Sequence, residues 1–458
     1  KGFHFFCSLL HLSPFNDDHP SFATLPLEIS EYKYCNLSDF SCIRKKTNNK
    51  QQRTMMKSTS VGVSFLFHQF LRRNHHVVQA ATLPPLQTQQ RHAEPKPGVD
   101  WDSFGFGLNG VKTDSMWLNK VVVDENGEGE YSSSSEECVA AFGNFEISPC
   151  ATVLNYGQAL FEGLKAFRRD DGSIVMFRPE MNARRMQNGA RRFLLPPVDT
   201  DTFVKAADAV VRSNARWVPP VGKGALYLRP LLMGTGADLG VKPSWESTFC
   251  IYCSPVGNYF KGDLKAIRLQ AVRGFSRACK GGAGHVKASG NYAPAFFSQR
   301  AVKKRGFDDV ICLDAATGEH IEEAGASNFF AVFPNNTIYT PSLDSETILP
   351  GITRASIIEL AEKECGCTVV EGPIHLSDLK DACEAFCCGT GASVTPVGSI
   401  SVAHPDGSED KEHGVVFGDG KTPGPLTKRL YDTLLKIQTG NDNDLNERYS
   451  DWIHVVEP

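Results

Sequence analysis

The chain has 458 residues, 22% charged and 41% hydrophobic, a globular composition with room for two domains of ordinary size. No apolar run reaches the roughly 18 residues of a helical membrane span. Formal net charge is −4. Residues 1–92 hold 11 Lys/Arg against 5 Asp/Glu, which leaves 37 against 47 for the rest, and so acidic a body argues against a nucleic-acid binder.

Residues 1–54 show no periodicity and begin on Lys, so they read as upstream sequence that is not part of the protein, with a start at Met55 or Met56. From Met55 to Ala93 there is no Asp or Glu, and VSFLFHQFLRRNHH joins a short apolar stretch to Arg72 and Arg73. That composition predicts an organellar transit peptide over residues 55–95, mitochondrial in preference to plastid; without that role for the segment, the protein would be cytoplasmic.

The folded body is expected from about residue 100. KAF and SIVMF flank the turn RRDDG and predict a hairpin. Pro179 opens a helix to about Arg192, with Met181, Arg185 and Asn188 on one face. ALYLRPLLM and STFCIYCS predict strands, and SPVGNYFKGD breaks the pattern as an interdomain connection. Beyond it come the strand AIRLQAV, a helix from about Ala293 to Lys304, the buried strand DDVICLD, the helix ITRASIIELAEKE, the strand EAFCCGTG and the helix LTKRLYDTLLKIQTG. The mixture is α+β or α/β, with a small N-terminal domain over 100–254, a loop over 255–263 and a large C-terminal domain over 264–458. Cys250 and Cys253 stand three apart on one strand and face opposite ways, and no second pair follows at zinc-site spacing, so reduced thiols and no metal are expected.

Chemistry concentrates in a few stretches. In KGGAGHVKASGNYA, Lys287 follows a Gly-rich turn and is flanked by small residues, the setting in which a lysine amine is desolvated for a Schiff base; Val286 takes the place of the glycine a P-loop requires. In HIEEAGASNFF, one of two adjacent carboxylates is a candidate partner for a protonated ring nitrogen. ILPGITR and CCGTGASVTP put Gly and Thr at turns, the first opening a helix, as an anion site or simply a cap. Aldehyde, ring nitrogen and phosphate together suggest pyridoxal phosphate.

NYGQALFEGLKAF, FRPEMNARRM, LYLRPLLMGTG, GGAGHVKASGNYA, EEAGASN and LPGITR occur in this order. With them the chain resembles the eukaryotic branched-chain amino-acid aminotransferases of the fold type IV pyridoxal-phosphate enzymes, over nearly all of residues 100–440. The resemblance implies two α/β domains with the active site between them, a homodimer, small-molecule amino-acid and 2-oxo-acid substrates, and neither nucleic-acid nor membrane partners. It implies that Lys287 is the Schiff-base lysine, that Tyr292 bonds the cofactor's O3′ and that Glu323 faces the pyridine nitrogen, with Glu322 solvated. It assigns Arg185, Ile352, Thr353 and Thr390 to the phosphate. Ala326 and Gly391 would receive the substrate α-carboxylate, and Phe106, Tyr156, Phe161 and Tyr227 would line the side-chain pocket. Arg229 would help accept glutamate's distal carboxylate. Some animal members carry a redox-sensitive Cys-x-x-Cys beside the Gly-Thr turn; here those positions are Ala392 and Thr395. A D-amino-acid aminotransferase, an aminodeoxychorismate lyase and a non-catalytic homologue are the rival readings. The Tyr156, Phe161, Tyr227 and LYLRP set argues against the lyase; intact Lys287, Tyr292 and Glu323 argue against the non-catalytic homologue.

Overall fold

The computed structural model describes residues 93–458 except 106–110 and 259–263. The expectations for residues 1–54, for nearly all of 55–95, for Phe106 and for 259–263 of the interdomain connection lie outside the described residues.

The strands fall into two sheets divided by the chain between residues 256 and 267. The first sheet takes β1 (Ser115–Val122), β2 (Val139–Ala141), β3 (Ala159–Phe161), β4 (Leu164–Arg168), β5 (Ile174–Phe177), β6 (Ala225–Gly234) and β7 (Glu246–Val256). The second takes β8 (Ile267–Val272), β9 (Asp309–Leu313), β10 (Ile321–Ala324), β11 (Ser327–Phe333), β12 (Thr337–Thr340), β13 (Thr368–Glu371), β14 (Glu384–Gly389), β15 (Ser393–Ala403) and β16 (Glu409–Val416). The last strand, β17 (Ile453–Val456), returns to the edge of the first sheet beside β5.

Pairings in the first sheet are antiparallel, and β4 and β5 form the hairpin expected around the RRDDG turn. β6 and β7 pair from Ala225↔Val256 to Gly234↔Ser247. Two helices cover this sheet. Pro179–Phe193 starts with Pro at its first turn, where the missing N–H costs nothing. Thr200–Ser213 is capped by the Asp199 side chain, which accepts from the Thr202 N–H. Phe203, Ala206, Ala207, Val210 and Val211 of the second helix enter a core shared with Leu160, Leu164, Leu226, Leu228 and Phe249.

In the second sheet β10 pairs with both β9 and β11, so β10, β9, β8, β15, β14 and β11 close into a ring. Leu269, Ile311, Ile321, Phe329, Ala385 and Val397, one from each of these strands, belong to one core cluster. β8 runs parallel to β9 and β15, which requires crossovers; the first is the helix Ala295–Lys304. Helices Ile352–Lys363 and Pro425–Thr439 pack on the other face of β14 in a separate cluster with Phe386 and Cys388. Among the described residues no helix is long and apolar enough to cross a membrane.

Candidate active site

Lys287 belongs to the second half of the chain but is stitched to the first sheet. The Phe161 N–H donates to the Lys287 carbonyl at 3.1 Å, and Leu160 bridges Ala288 in antiparallel fashion. Asn291 shapes the Gly-rich turn, its Nδ2 donating to the carbonyls of Ala283 at 2.7 Å and Val286 at 2.9 Å. The lysine Nζ then reaches Tyr292 Oη at 3.4 Å and lies 4.7 Å from the Phe161 ring centre. Burial, followed by the charges of Arg185 and Arg229, pulls this ammonium down to about 7. Burial also pushes the Tyr292 phenol up to about 12.

Glu323 sits at the bottom of the same region. Its Oε2 accepts from the Leu349 N–H and from Asn328 Nδ2, each at 3.3 Å. Its Oε1 is buried and accepts no hydrogen bond, although Arg277 Nη1 is 2.7 Å away. Burial pushes this carboxyl up to about 7 against the pull of Arg277. Glu322 corrects the sequence expectation, because it is buried rather than solvated. The register between β10 and β9 shifts between Ile321 and Ala324, so strict alternation is lost there and neither glutamate turns out to solvent.

Arg185 projects from the helix Pro179–Phe193 onto Glu162 with two bonds of 2.7 Å, and its Nη1 donates to the Pro350 carbonyl at 3.0 Å. Burial works against this guanidinium's charge, but the Glu162 carboxylate holds its pKa above the ordinary value. Asn182 Nδ2 donates to Glu162 at 2.7 Å. Pro350 leads into Gly351, and the helix Ile352–Lys363 starts there with no side-chain cap. A Cβ on Gly351 would fall 2.1 Å from Asn328 Oδ1, so only glycine lets the helix start this close to the residue that holds Glu323. Ile352, Thr353, Gly389 and Thr390 line one small cleft together with Lys165 and Asn182. Backbone N–H groups and threonine hydroxyls at a helix start suit an anion.

Tyr227 and Arg229 share one face of β6, two residues apart. The Arg229 guanidinium lies 4.8 Å from the Phe161 ring and 5.4 Å from that of Tyr227. A Cβ on Gly163 would meet Tyr227 Oη at 2.0 Å, so this glycine lets the phenol cross β4. The turns carrying Ala326 and Gly391 lie at the same end of the β11–β14 pair, Asn328 opposite Cys388. Tyr156 stands apart from this cluster: it is 44% exposed, and its hydroxyl donates to the Leu239 carbonyl.

Sequence reasoning missed Glu162, Arg277, Asn291 and Lys165. Glu162 had a signal, a lone acid inside the apolar run ALFEGL. Arg277 had none, because it lies in a loop and its partner Glu323 is supplied by β10.

The fold and the residues gathered around Lys287 define a class, and comparisons with known proteins agree on it. The model of the amino-transferase class IV family matches residues 159–400. Branched-chain amino acid aminotransferase 2, chloroplastic, of Humulus lupulus is 47% identical over 344 residues, 75% of this chain and 79% of the relative. Branched-chain-amino-acid aminotransferase 1, mitochondrial, of Arabidopsis thaliana is 45% identical over 364 residues, 80% of this chain and 88% of the relative. The crystal structure of the Escherichia coli branched-chain amino acid aminotransferase superposes with a TM-score of 0.60 at 27% identity, covering 76% of this chain and 100% of that one.

The chain belongs to the class IV aminotransferases and, within them, to the branched-chain amino-acid aminotransferase family. It is a transaminase of small molecules with pyridoxal phosphate as its cofactor.

Proposed function

We propose that the protein transfers the amino group of L-leucine, L-isoleucine or L-valine to 2-oxoglutarate, forming branched-chain 2-oxo acids and L-glutamate in ping-pong fashion. The observation that carries this is the sharing of Phe161, with Lys287 Nζ 4.7 Å and Arg229 4.8 Å from one ring. An apolar wall suits an aliphatic side chain, and a cation at its edge suits a distal carboxylate.

The residues present fit the cofactor. Glu323 Oε1 is buried with no hydrogen bond to accept, as a partner for a ring N–H requires, and Gly351 leaves the helix start open. Lys287 would hold the aldehyde carbon, Tyr292 the ring hydroxyl, Glu323 the ring nitrogen, and Arg185, Ile352, Thr353 and Thr390 the phosphate. When bound, pyridoxal phosphate supplies an electron-withdrawing ring that acidifies the substrate Cα–H. Lys287, with its ammonium pulled down to about 7, can take that proton and return it. Glu323 keeps the ring-nitrogen proton in place, and Arg277 pairs with the same carboxylate. N–H groups of the Ala326 and Gly391 turns would orient the α-carboxylate. Arg229 and the rings of Phe161 and Tyr227 would select the side chain.

We further propose the division into a domain before and a domain after the connection at 255–263, which the two sheets support, and a homodimer. Leu154, Tyr156, Leu239, Val241 and Trp245 are large and exposed at 59%, 44%, 74%, 87% and 46%, an apolar surface that a second copy would cover and that would bring Tyr156 into the site. The relatives' names include both chloroplastic and mitochondrial proteins, which supports an organellar address for residues 55–95; the mitochondrion is our preference, on Arg72 and Arg73. Imaging that segment fused to a fluorescent protein decides between the organelles.

Isotope exchange at Cα of leucine tests the activity. Exchange with purified protein alone, and release of 4-methyl-2-oxopentanoate coupled to glutamate only when 2-oxoglutarate is added, is expected. Exchange of D-leucine instead, or none of either, would reject it.

A further inference from the structure

β10 and β11 join through the two-residue loop Gly325–Ala326, with Ala324 opposite Ser327. Loops this short usually take a positive φ at one or both residues, which matches the twist of the strands. Here neither residue does, so contacts from outside the loop hold its shape. The Gly325 N–H donates to the Val310 carbonyl at 3.0 Å. Two side chains press on the Gly325 Cα: Asp309, the first residue of β9, and Gln299, from the helix Ala295–Lys304 that follows Tyr292. A Cβ on Gly325 would fall 2.4 Å from Gln299 Nε2 and 2.9 Å from each Asp309 carboxylate oxygen. Glycine at this position therefore serves a close approach and not a special φ. Asp309 Oδ1 is itself fixed, accepting from Gln299 Nε2 at 3.2 Å and from the Val310 N–H at 2.8 Å. The loop also adjoins the turn that carries Thr390 and Gly391, since a Cβ on Gly389 would lie 3.6 Å from the Ala326 carbonyl oxygen.

We propose that Asp309, together with Gln299, is a positioning residue for the substrate: it seats the Gly325–Ala326 loop so that the Ala326 N–H stands where the α-carboxylate binds. This rests on the assignment of that carboxylate to the Ala326 and Gly391 turns above. Leucine and 2-oxoglutarate share the α-carboxylate and differ in their side chains. A displaced loop therefore weakens both alike, whereas a change at Arg229 separates them. Asp309 acts through its acceptor oxygen and not through its charge. A negative charge beside a carboxylate subsite would oppose the substrate, and burial raises this carboxyl above its ordinary value.

The test measures the two half-reactions of the holoenzyme in single turnover, with half-saturating concentrations and maximal rates for leucine and for 2-oxoglutarate. Affinity for pyridoxal phosphate is read separately from protein fluorescence. Asp309→Ala should raise both half-saturating concentrations by the same factor, roughly tenfold to a hundredfold, because a small displacement of a positioning group costs about that much. Maximal rates should change less, and affinity for pyridoxal phosphate should stay as in wild type. Asp309→Asn keeps the acceptor oxygen and should restore wild-type values. Gly325→Ala moves the loop from its other contact partner and should give the same parallel rise, so it decides the matter if Asp309→Ala fails to fold. Unchanged saturation in Asp309→Ala and Gly325→Ala would overturn the inference. So would a loss confined to cofactor affinity, a loss for one substrate only, or an Asn variant as impaired as Ala. Ala326→Pro removes the N–H itself and separates the two readings. Unchanged saturation there would overturn the carboxylate assignment, whereas raised saturation there with a wild-type-like Asp309→Ala would overturn only the role of Asp309.

Discussion

Nη1 of Arg277 lies 2.7 Å from Oε1 of Glu323, with each side chain 4% exposed. The same Nη1 donates to the carbonyls of Thr347 at 3.1 Å and Gly284 at 3.3 Å, so the ion pair also clamps the turn leading to Lys287. Arg277→Met leaves a carboxyl buried without its cation, and burial already pushes Glu323 up to about 7. Breaking such a pair typically costs about 3–5 kcal/mol. The variant should unfold at clearly lower urea and turn leucine over slowly. Wild-type stability together with wild-type turnover would show that the pair is idle.

Glu323→Gln should still bind cofactor but lose orders of magnitude in rate, because a neutral amide does not stabilise a protonated ring nitrogen. Glu322→Gln should act on stability rather than chemistry. Burial raises the Glu322 carboxyl above its ordinary value and its Oε2 has no hydrogen-bond partner, so a neutral amide is tolerated there. Rates and urea midpoints of the two variants compared side by side check this; interchanged effects would mean that Glu322 faces the ring.

The lowered pKa of Lys287 sets a pH signature. The group loses its proton on going up through about 7 instead of 10.5, so the nucleophilic amine is scarce below 7 and abundant above it. Capture of pyridoxal phosphate by cofactor-free protein, followed by stopped-flow absorbance, should therefore accelerate as pH rises through about 7 and then level off. Lys287→Ala should show no absorbance band of lysine-bound cofactor and no turnover. A rate still climbing near 10.5 would place the reacting amine in a water-like setting and exclude Lys287 as described.

Arg229 sits on the aromatic wall with its Nε buried and without a hydrogen bond. Arg229→Met keeps length and removes charge. A charge-assisted bond is worth roughly 1.5–3 kcal/mol, so kcat/KM for 2-oxoglutarate should fall about tenfold to a hundredfold. The leucine half-reaction, measured in single turnover, should change far less. Equal losses in both halves would recast Arg229 as a strut that holds Phe161 and Tyr227 together.

Peroxide should not switch the enzyme reversibly through the Gly-Thr turn, where Ala392 and Thr395 carry no thiol. Cys387 and Cys388 are adjacent but face opposite sides of β14, one in the core of the closed ring and the other against the helices. Both are buried, and burial pushes Cys387 up to about 12 and Cys388 higher still, which leaves almost no thiolate to oxidise. Activity after mild peroxide, with and without dithiothreitol, measures this; a loss that the reductant restores and that disappears in a Cys387→Ser, Cys388→Ser double variant would contradict it.

What the chain determines by itself is local. Pro179 at a helix start, the RRDDG turn between alternating strands, and small residues around Lys287 each act over a few positions, so their period and turn chemistry are visible without a fold. The ordered motifs carried the family in the same way, and with it the aldehyde, nitrogen and phosphate partners. Tertiary structure decided which buried charges meet: Glu162 with Arg185, Arg277 with Glu323, and Lys165 with the Gly391 turn. Each partner arrives from a distant segment, and a buried ion pair leaves no periodic trace in either one. The register shift that buries Glu322 depends on how β10 pairs with β9, a single-residue slip that composition does not encode. Tyr156 carries the same lesson. Its aromatic type suits a pocket, and within one chain it lies at the surface against Leu239, on the apolar face that a second copy would cover.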